Sequence, residues 1–453
     1  MKHMKLRFVL MLGTALVAAC SGNSNNGRGT LEVIHASQDA PAVNVLVNGV
    51  ELLADVPYKG VETVSLATGN RAVTVEGIVP GGNVTVIPAA GDPAPVIKMT
   101  KNARITIIAA GDVATIEPIV LTELPQTVDA ADVRLRVLHA ASTVGQVNVH
   151  ITVPGDPLGA PTGTFSFGDL LTPDALVVPA GDYQIRVAPS ADPANVVYDS
   201  GPVALPGGAD LVVAAVVNTG AGVAPVSLLA ATGSAALEFL DTGTPSNVRA
   251  IHASPDAPDV DIIANDDFPD PAVEDLAYGT GTPAYLTPPP GPINLKVVPA
   301  NAVAPVVIDA DLTLTQGDSY SVYAVGLLGD NSIQALTLVD DIRRIATEAR
   351  LRLVHASPAA GPVDIYVVSA GEGADLVNVD PSFTDVPFLD DTGYVSLAPA
   401  DYDVVVTQTG SKVPAIGPIT LTLEADGIYT AAARDQAGGG VPLGLILLDD
   451  LAP

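Results

Sequence analysis

Ala250-Ile251-His252-Ala253-Ser254-Pro255-Asp256-Ala257-Pro258-Asp259-Val260-Asp261 is the stretch that decides the fold, because its opening occurs four times in the chain. Val33-Ile34-His35-Ala36-Ser37 and Val137-Leu138-His139-Ala140-Ala141-Ser142 precede it, and Leu353-Val354-His355-Ala356-Ser357 follows. The histidines stand 104, 113 and 103 residues apart and are four of the six in the protein. A period near a hundred residues is too long for a solenoid unit and has the size of a domain with its own core. The pattern predicts four similar modules strung in tandem, an architecture that more often binds or spaces than catalyses.

Each module reads as β-structure. In the last one, Arg350 to His355, Val363 to Val368, Tyr394 to Leu397, Tyr402 to Thr407, Ile419 to Leu423, Tyr429 to Ala433 and Leu443 to Leu448 are expected strands. About seven strands in about a hundred residues match an immunoglobulin-like sandwich. Alternation puts Leu351, Leu353 and His355 on one face and Arg350 and Arg352 on the other; Leu135, Val137 and His139 oppose Arg134 and Arg136 likewise. Tyr183, Tyr320 and Tyr402 follow Gly/Asp pairs in the manner of tyrosine corners, whereas the first module has Gly69-Asn70-Arg71 there. The expected fold is all-β, four tandem immunoglobulin-like antiparallel sandwiches. Expected boundaries are 1–19 signal peptide, 20–29 tether, and modules 30–130, 131–246, 247–348 and 349–453.

At the front, Lys2, Lys5 and Arg7 precede an apolar run from Phe8 to Ala19 that is broken only by Gly13 and Thr14. Such a run is too short to span a bilayer and reads as an export signal. Val17-Ala18-Ala19-Cys20 resembles the lipobox of bacterial lipoproteins, which implies cleavage before Cys20 and acylation of that residue. Cys20 is the only cysteine, so no disulfide competes for it. An acylated Cys20 would anchor the protein to a membrane without a crossing helix. Ser21, rather than Asp, after the cysteine implies by the same resemblance sorting to the outer membrane.

Charge narrows the partners. Without residues 1–19 the chain keeps 17 Lys+Arg against 50 Asp+Glu, a net charge of −33. A surface so acidic repels nucleic acid and anionic lipid. The chain is also 48% hydrophobic, so it can fill cores and is no disordered acidic tail.

Residues 250–261 resemble the opening of the bacterial domain of unknown function 4397, a family of secreted or envelope β-rich modules that often occur in tandem. The fourth module and His35-Ala36-Ser37-Gln38-Asp39-Ala40-Pro41 follow it well, while the second departs at Thr143-Val144-Gly145-Gln146. The resemblance implies no activity. Nine residues after each histidine comes Asn44, Asn148, Asp261 or Asp364, and with Ser37, Ser254 and Ser357 a Ser-His-Asp triad can be drawn. Two of the four acids are amides, Ala141 replaces one serine, and strand parity separates histidine from acid. We therefore read His35, His139, His252 and His355 as buried, hydrogen-bonded structural groups and the Asn/Asp as turn braces.

Zinc is not expected, with one lone cysteine and histidines a domain apart. Asp256, Asp259, Asp266 and Asp267 form a weak calcium candidate without EF-hand spacing, so no cofactor is expected. The reading is a non-catalytic outer-membrane lipoprotein whose sandwiches interact with or adhere to a glycan, surface polymer or protein. The segment Ala264 to Tyr285 is its most distinctive loop. A structural spacer is the alternative, and a hydrolase with an unrecognised site the third.

Overall fold

The computed structural model describes residues 27–123, 126–171, 175–233 and 235–450. Among them the chain forms strands and one short 3-10 turn, Val113–Thr115. The fourth module shows the plan most fully. Its eight strands are Ala349–His355, Val363–Ser369, Phe383–Val386, Asp391–Leu397, Ala400–Gln408, Pro414–Leu423, Ile428–Arg434 and Gly444–Asp449. One sheet has the order fourth, first, seventh, eighth; the other has third, second, fifth, sixth. The first two strands therefore lie in opposite sheets, and the loop after the motif histidine carries the chain between them. The modules share the sandwich architecture of immunoglobulin-like domains, with their own strand order.

All ladders but one per module run antiparallel. The first strand pairs in parallel with the seventh, which places His35 beside Ala109, His139 beside Ala215, His252 beside Ala324 and His355 beside Ala433. The expected antiparallel sandwiches stand, with this one parallel pairing per module that the sequence does not announce. Two segments that alternate correctly along the sequence reveal nothing of their relative direction, and about 70 residues between them leave room for a crossover. In the fourth module the sequence reading also lacks Phe383–Val386, a four-residue strand interrupted by Asp385 at φ 53°.

The corner hydrogen bonds form where two of the tyrosines were expected. Tyr183 Oη donates to Pro179 O and Tyr402 Oη to Ala398 O, both at 2.9 Å. In the first module Arg71 does the same work, its Nη2 donating to Ala67 O at 2.7 Å. Tyr320 lies instead on the seventh strand of its module, where its hydroxyl accepts Thr315 N–H at 3.0 Å.

The modules are not independent beads. Leu351 and Leu353 face the fourth module's own core with Val363, Ile365, Val404 and Val406. The opposite face of the same strand is also dry: Val354, Ala356, Ala432 and Ile446 pack with Ile251, Ala253, Tyr323 and Val325 of the third module. The first and second modules join in the same way, through Ile34, Ala36, Ile108 and Ala110 against Leu138, Ala140, Val212 and Ala214. The four sandwiches thus form two back-to-back pairs. The pairs touch as well: Arg343 Nη1 donates to Ala40 O at 2.8 Å, Ala346 N–H to Asp39 O at 2.8 Å, and Gln316 Nε2 to Asp241 O at 2.8 Å.

Candidate functional site

The four motif histidines occupy one environment. Each stands at the end of a first strand, or one residue before it for His35, on the core-facing side and is buried. Its Nε2 donates to the carbonyl six residues on: Pro41 O at 2.9 Å, Gly145 O at 3.1 Å, Pro258 O at 2.9 Å and Gly361 O at 2.6 Å. Its Nδ1 accepts the backbone N–H two residues on, from Ser37, Ala141, Ser254 or Ser357, at 3.3 to 3.4 Å. Both ring nitrogens are used, in the pattern of a neutral Nε2–H imidazole. The ring closes the loop between the two sheets like a clasp.

Burial disfavours the charged imidazolium. It holds the His35 pKa down at about 4, against the bond to Pro41 and with help from the Arg343 charge, and it lowers His139, His252 and His355 too. A clasp of this kind is a poor general base, because the lone pair that would take a proton is already shared with a backbone amide.

One partner of the clasp escaped the sequence reading. Tyr58, Tyr278 and Phe388 set a ring edge-on to His35, His252 and His355, with centroids 5.7 to 6.0 Å apart. The signal was an aromatic after Val56-Pro57 and again after Val386-Pro387. Both tyrosines also reach the neighbouring module: Tyr58 Oη donates to Val217 O at 2.7 Å and Tyr278 Oη to Asp435 O at 2.6 Å.

The Asn/Asp positions are not joined to the histidines. Asp261 accepts Asp275 N–H and Asn301 N–H at 2.8 Å each. Asp364 accepts Asp385 N–H at 2.9 Å and Gly410 N–H at 2.8 Å. Asn44 accepts Asp55 N–H at 2.9 Å, and Asn148 accepts the Thr164 hydroxyl at 2.8 Å. Asp55, Asp275 and Asp385 all have φ between 51° and 54° beside a break in ladder register, so each brace holds a bulge in the third strand. The triad serines make no bond to an imidazole through their hydroxyls. Ser357 Oγ donates to Asp435, and Ser37 Oγ to Asp39 at 3.4 Å.

The acidic cluster is partly committed. Asp256 accepts Leu328 and Gly329 N–H at 2.7 and 2.8 Å, Asp266 pairs with Lys296, and Asp259 and Asp267 accept backbone N–H groups through their carbonyls. Among the described residues no three His, Cys, Asp or Glu side chains converge as a metal site. Cys20 lies outside the described residues. Among those described, no helix is long and apolar enough to cross a membrane.

The arginine face carries the other concentration of chemistry. Arg352 Nη2 lies 2.6 Å from Asp340 Oδ1, and Arg249 Nη2 lies 2.6 Å from Asp450 Oδ1, both across the interface between third and fourth modules. Asp340 also accepts Ser321 Oγ and Tyr285 Oη, and Asp450 accepts Thr430 Oγ1 and Tyr394 Oη, all at 2.6 Å. Burial opposes the charge of both arginines, and the aspartates more than offset it, so both guanidinium pKa values lie above their ordinary value. Tyr285, at the end of the segment read as a distinctive loop, is thereby turned into the interface.

A family model described as "Domain of unknown function (DUF4397)" matches residues 29–150 and 246–366, together more than half of the chain. The chain belongs to the DUF4397 family. Each DUF4397 match runs from the start of an odd-numbered module into the second strand of its partner, and so holds two motif histidines. No curated protein matches. Three of the solved structures that the chain matches are the following. The Bacillus anthracis TIE protein is 11% identical, with 91% of this chain and 69% of that one covered and a TM-score of 0.16. A "putative adhesin" from Bacteroides ovatus is 11% identical over 47% and 95%, TM-score 0.15. A DUF3823 family protein from the same organism is 10% identical over 40% and 98%, TM-score 0.11. Overlaps this low transfer no property of those chains to this DUF4397 protein.

Between the first and second DUF4397 modules the charges are rearranged. Arg136 pairs with Glu123, Arg134 bridges Glu123 at 2.8 Å and Asp210 at 3.0 Å, and Arg104 pairs with Glu32 at 2.9 Å. Glu32 stands three residues before its histidine, where the other three modules have Arg136, Arg249 and Arg352.

Proposed function

We propose that this protein is a non-catalytic lipoprotein of the bacterial outer membrane, anchored through acylated Cys20, that presents stiffly paired sandwiches for interaction with a glycan, surface polymer or protein. The observation that carries this reading is the commitment of the repeated histidines: both ring nitrogens of each are spent on backbone, which leaves the one recurring reactive residue type without a lone pair or proton to offer a substrate. The charge-locked module pairs support a display role, since a stiff scaffold holds its outward loops at fixed separations. The net charge of −30 supports a cationic or neutral partner over a polyanion.

The test is made in cells. Protease added to intact cells should remove the wild-type protein, and a deletion strain should lose adhesion that wild type restores and a Cys20→Ser form, released from the membrane, does not. A protein resistant to shaving, in cells whose adhesion is unchanged by its deletion, would overturn the reading.

A further inference from the structure

The third module differs inside from the second. Between its two sheets lies a cavity of about 290 Å³, where the corresponding space of the second module is about 20 Å³. Every residue lining it is apolar except Tyr323.

The sequence builds this space by removing carbon from matched positions. Four residues before the motif histidine, Val248 stands where the other modules have Leu31, Leu135 and Leu351. Two before it, Ala250 replaces Val33, Val137 and Leu353. Twelve after it, Ala264 replaces Val47, Ile151 and Val367. On the eighth strand Ala335 faces Ala324, where Leu228 faces Ala215 and Leu445 faces Ala433. Ala310 faces Leu295, where Ile419 faces Val404. All five line the cavity. Large-to-small changes at single sites leave voids that weaken a domain. Five of them around one space, only partly offset by Leu295 where the fourth module has Val404 and by Val322 where it has Ala431, describe a site kept open.

The same module leaves the space accessible. The fourth strand that seals this edge elsewhere, Leu176–Pro179 or Asp391–Leu397, is reduced here to two isolated bridges, Val248 to Leu286 and Ile251 to Gly281. Pro283 and Pro288 to Pro290 cannot donate ladder bonds, which keeps this edge from zipping closed. Leu286 lines the cavity and is also 38% exposed, which marks the entrance.

We infer that the third module binds a single hydrocarbon chain of about ten carbons, since a dry apolar cavity of about 150 Å³ already admits one benzene. The chain enters past Leu286 and leaves its polar end in solvent. An acidic surface disfavours an anionic head, so an alcohol or ester end fits better than a carboxylate.

The test uses the full chain, with 1-decanol and decanoate as probes, read by calorimetry and by thermal unfolding. The A250L/A335L variant, which installs the fourth module's residues, should unfold no earlier than wild type without ligand and should lose the ligand-induced rise in Tm. If that variant does not fold, Ala264→Val should weaken 1-decanol at least tenfold. Tighter binding of 1-decanol than of decanoate points to a neutral lipid, equal binding to a fatty acid, and both place the chain in the cavity. Failure of wild type to bind either probe, or undiminished binding by the filled variant, would overturn the assignment.

Discussion

Arg249 of the third module meets Asp450 of the fourth at 2.6 Å, and the contact is returned: Arg352 of the fourth meets Asp340 of the third at the same distance. Both arginines stand three residues before a motif histidine, and both aspartates lie at the end of an eighth strand. A reciprocal contact of this kind forms only when two modules face each other across an approximate twofold axis with their first strands adjacent. The pairing is therefore written into each module separately. In the first pair only the Arg136–Glu123 arm keeps that form, while Glu32 turns to Arg104 of its own module.

These ion pairs are buried, so losing one partner costs more than the pair contributes. Asp340→Ala leaves Arg352, 1% exposed, without its carboxylate, and should destabilise the protein by about 3–5 kcal/mol. The double variant Asp340→Leu with Arg352→Met should recover most of that loss. Denaturant unfolding of the three proteins checks it, and a double variant as weak as the single one would show that the charge itself is required.

The histidine clasp predicts an acid weakness. The folded-state pKa of His35 lies near 4, below its ordinary 6.5. The unfolded chain therefore takes up a proton before the folded one does, and the clasp's stability is present above pH 6.5 and lost as pH falls toward 4. A shift of that size corresponds to about 3 kcal/mol for His35, and His139, His252 and His355 act in the same direction. Stability measured against pH should show a steeper fall across this window in wild type than in His35→Gln. His355→Ala should lower the melting temperature at neutral pH by leaving Gly361 O and Ser357 N–H without partners.

The brace at Asp364 holds one backbone N–H of the strained bulge, from Asp385, and one of the turn after the fifth strand, from Gly410. Asp364→Ala should cost about 1–3 kcal/mol at neutral pH. Asp364→Asn should cost less, since Asn44 braces the first module in the same place. Equal losses from both variants would show that the brace needs both acceptor oxygens, one for each N–H.

Much of this fold is legible in the sequence because a strand with one core face announces itself by alternation. Leu351, Leu353 and His355 lie on the core face that alternation assigns them, and His355 and Asp364 have separate partners, as strand parity requires. The module pairing was not read, although a trace of it is present. Apart from the clasp histidine, Leu353-Val354-His355-Ala356 and Val33-Ile34-His35-Ala36 are apolar on both faces, as strands buried on both faces are. The arginines on the far face were seen, but their partners lie in another module, and no local pattern ties Arg249 to Asp450. The cavity was equally hidden, because Ala250 or Ala335 alone is an ordinary core residue and only the ladder register shows what it replaces.

Acylation can be checked directly. Labelled palmitate supplied to growing cells should enter the wild-type protein and be absent from Cys20→Ser, since Cys20 is the only cysteine. Label of equal strength in both proteins would remove the anchor from the proposed function.

The pair, rather than the module, should be the unit that folds. A fragment of residues 349–453 contains all eight strands of its sandwich, and its internal core would remain. Freed from the third module, it would expose Val354, Ala356, Ala432 and Ile446 together with Arg352, all now buried. An apolar patch of that kind on a soluble fragment favours association. Asp450 would at the same time lose Arg249 while still facing Tyr394 and Thr430. The fragment should therefore self-associate and melt earlier than residues 246–453, which keep both reciprocal ion pairs and should unfold in one cooperative transition. Sedimentation and calorimetry of the two fragments decide the matter. A monomeric 349–453 fragment that melts with the pair would show that each sandwich carries its own stability and that the interface only orients them.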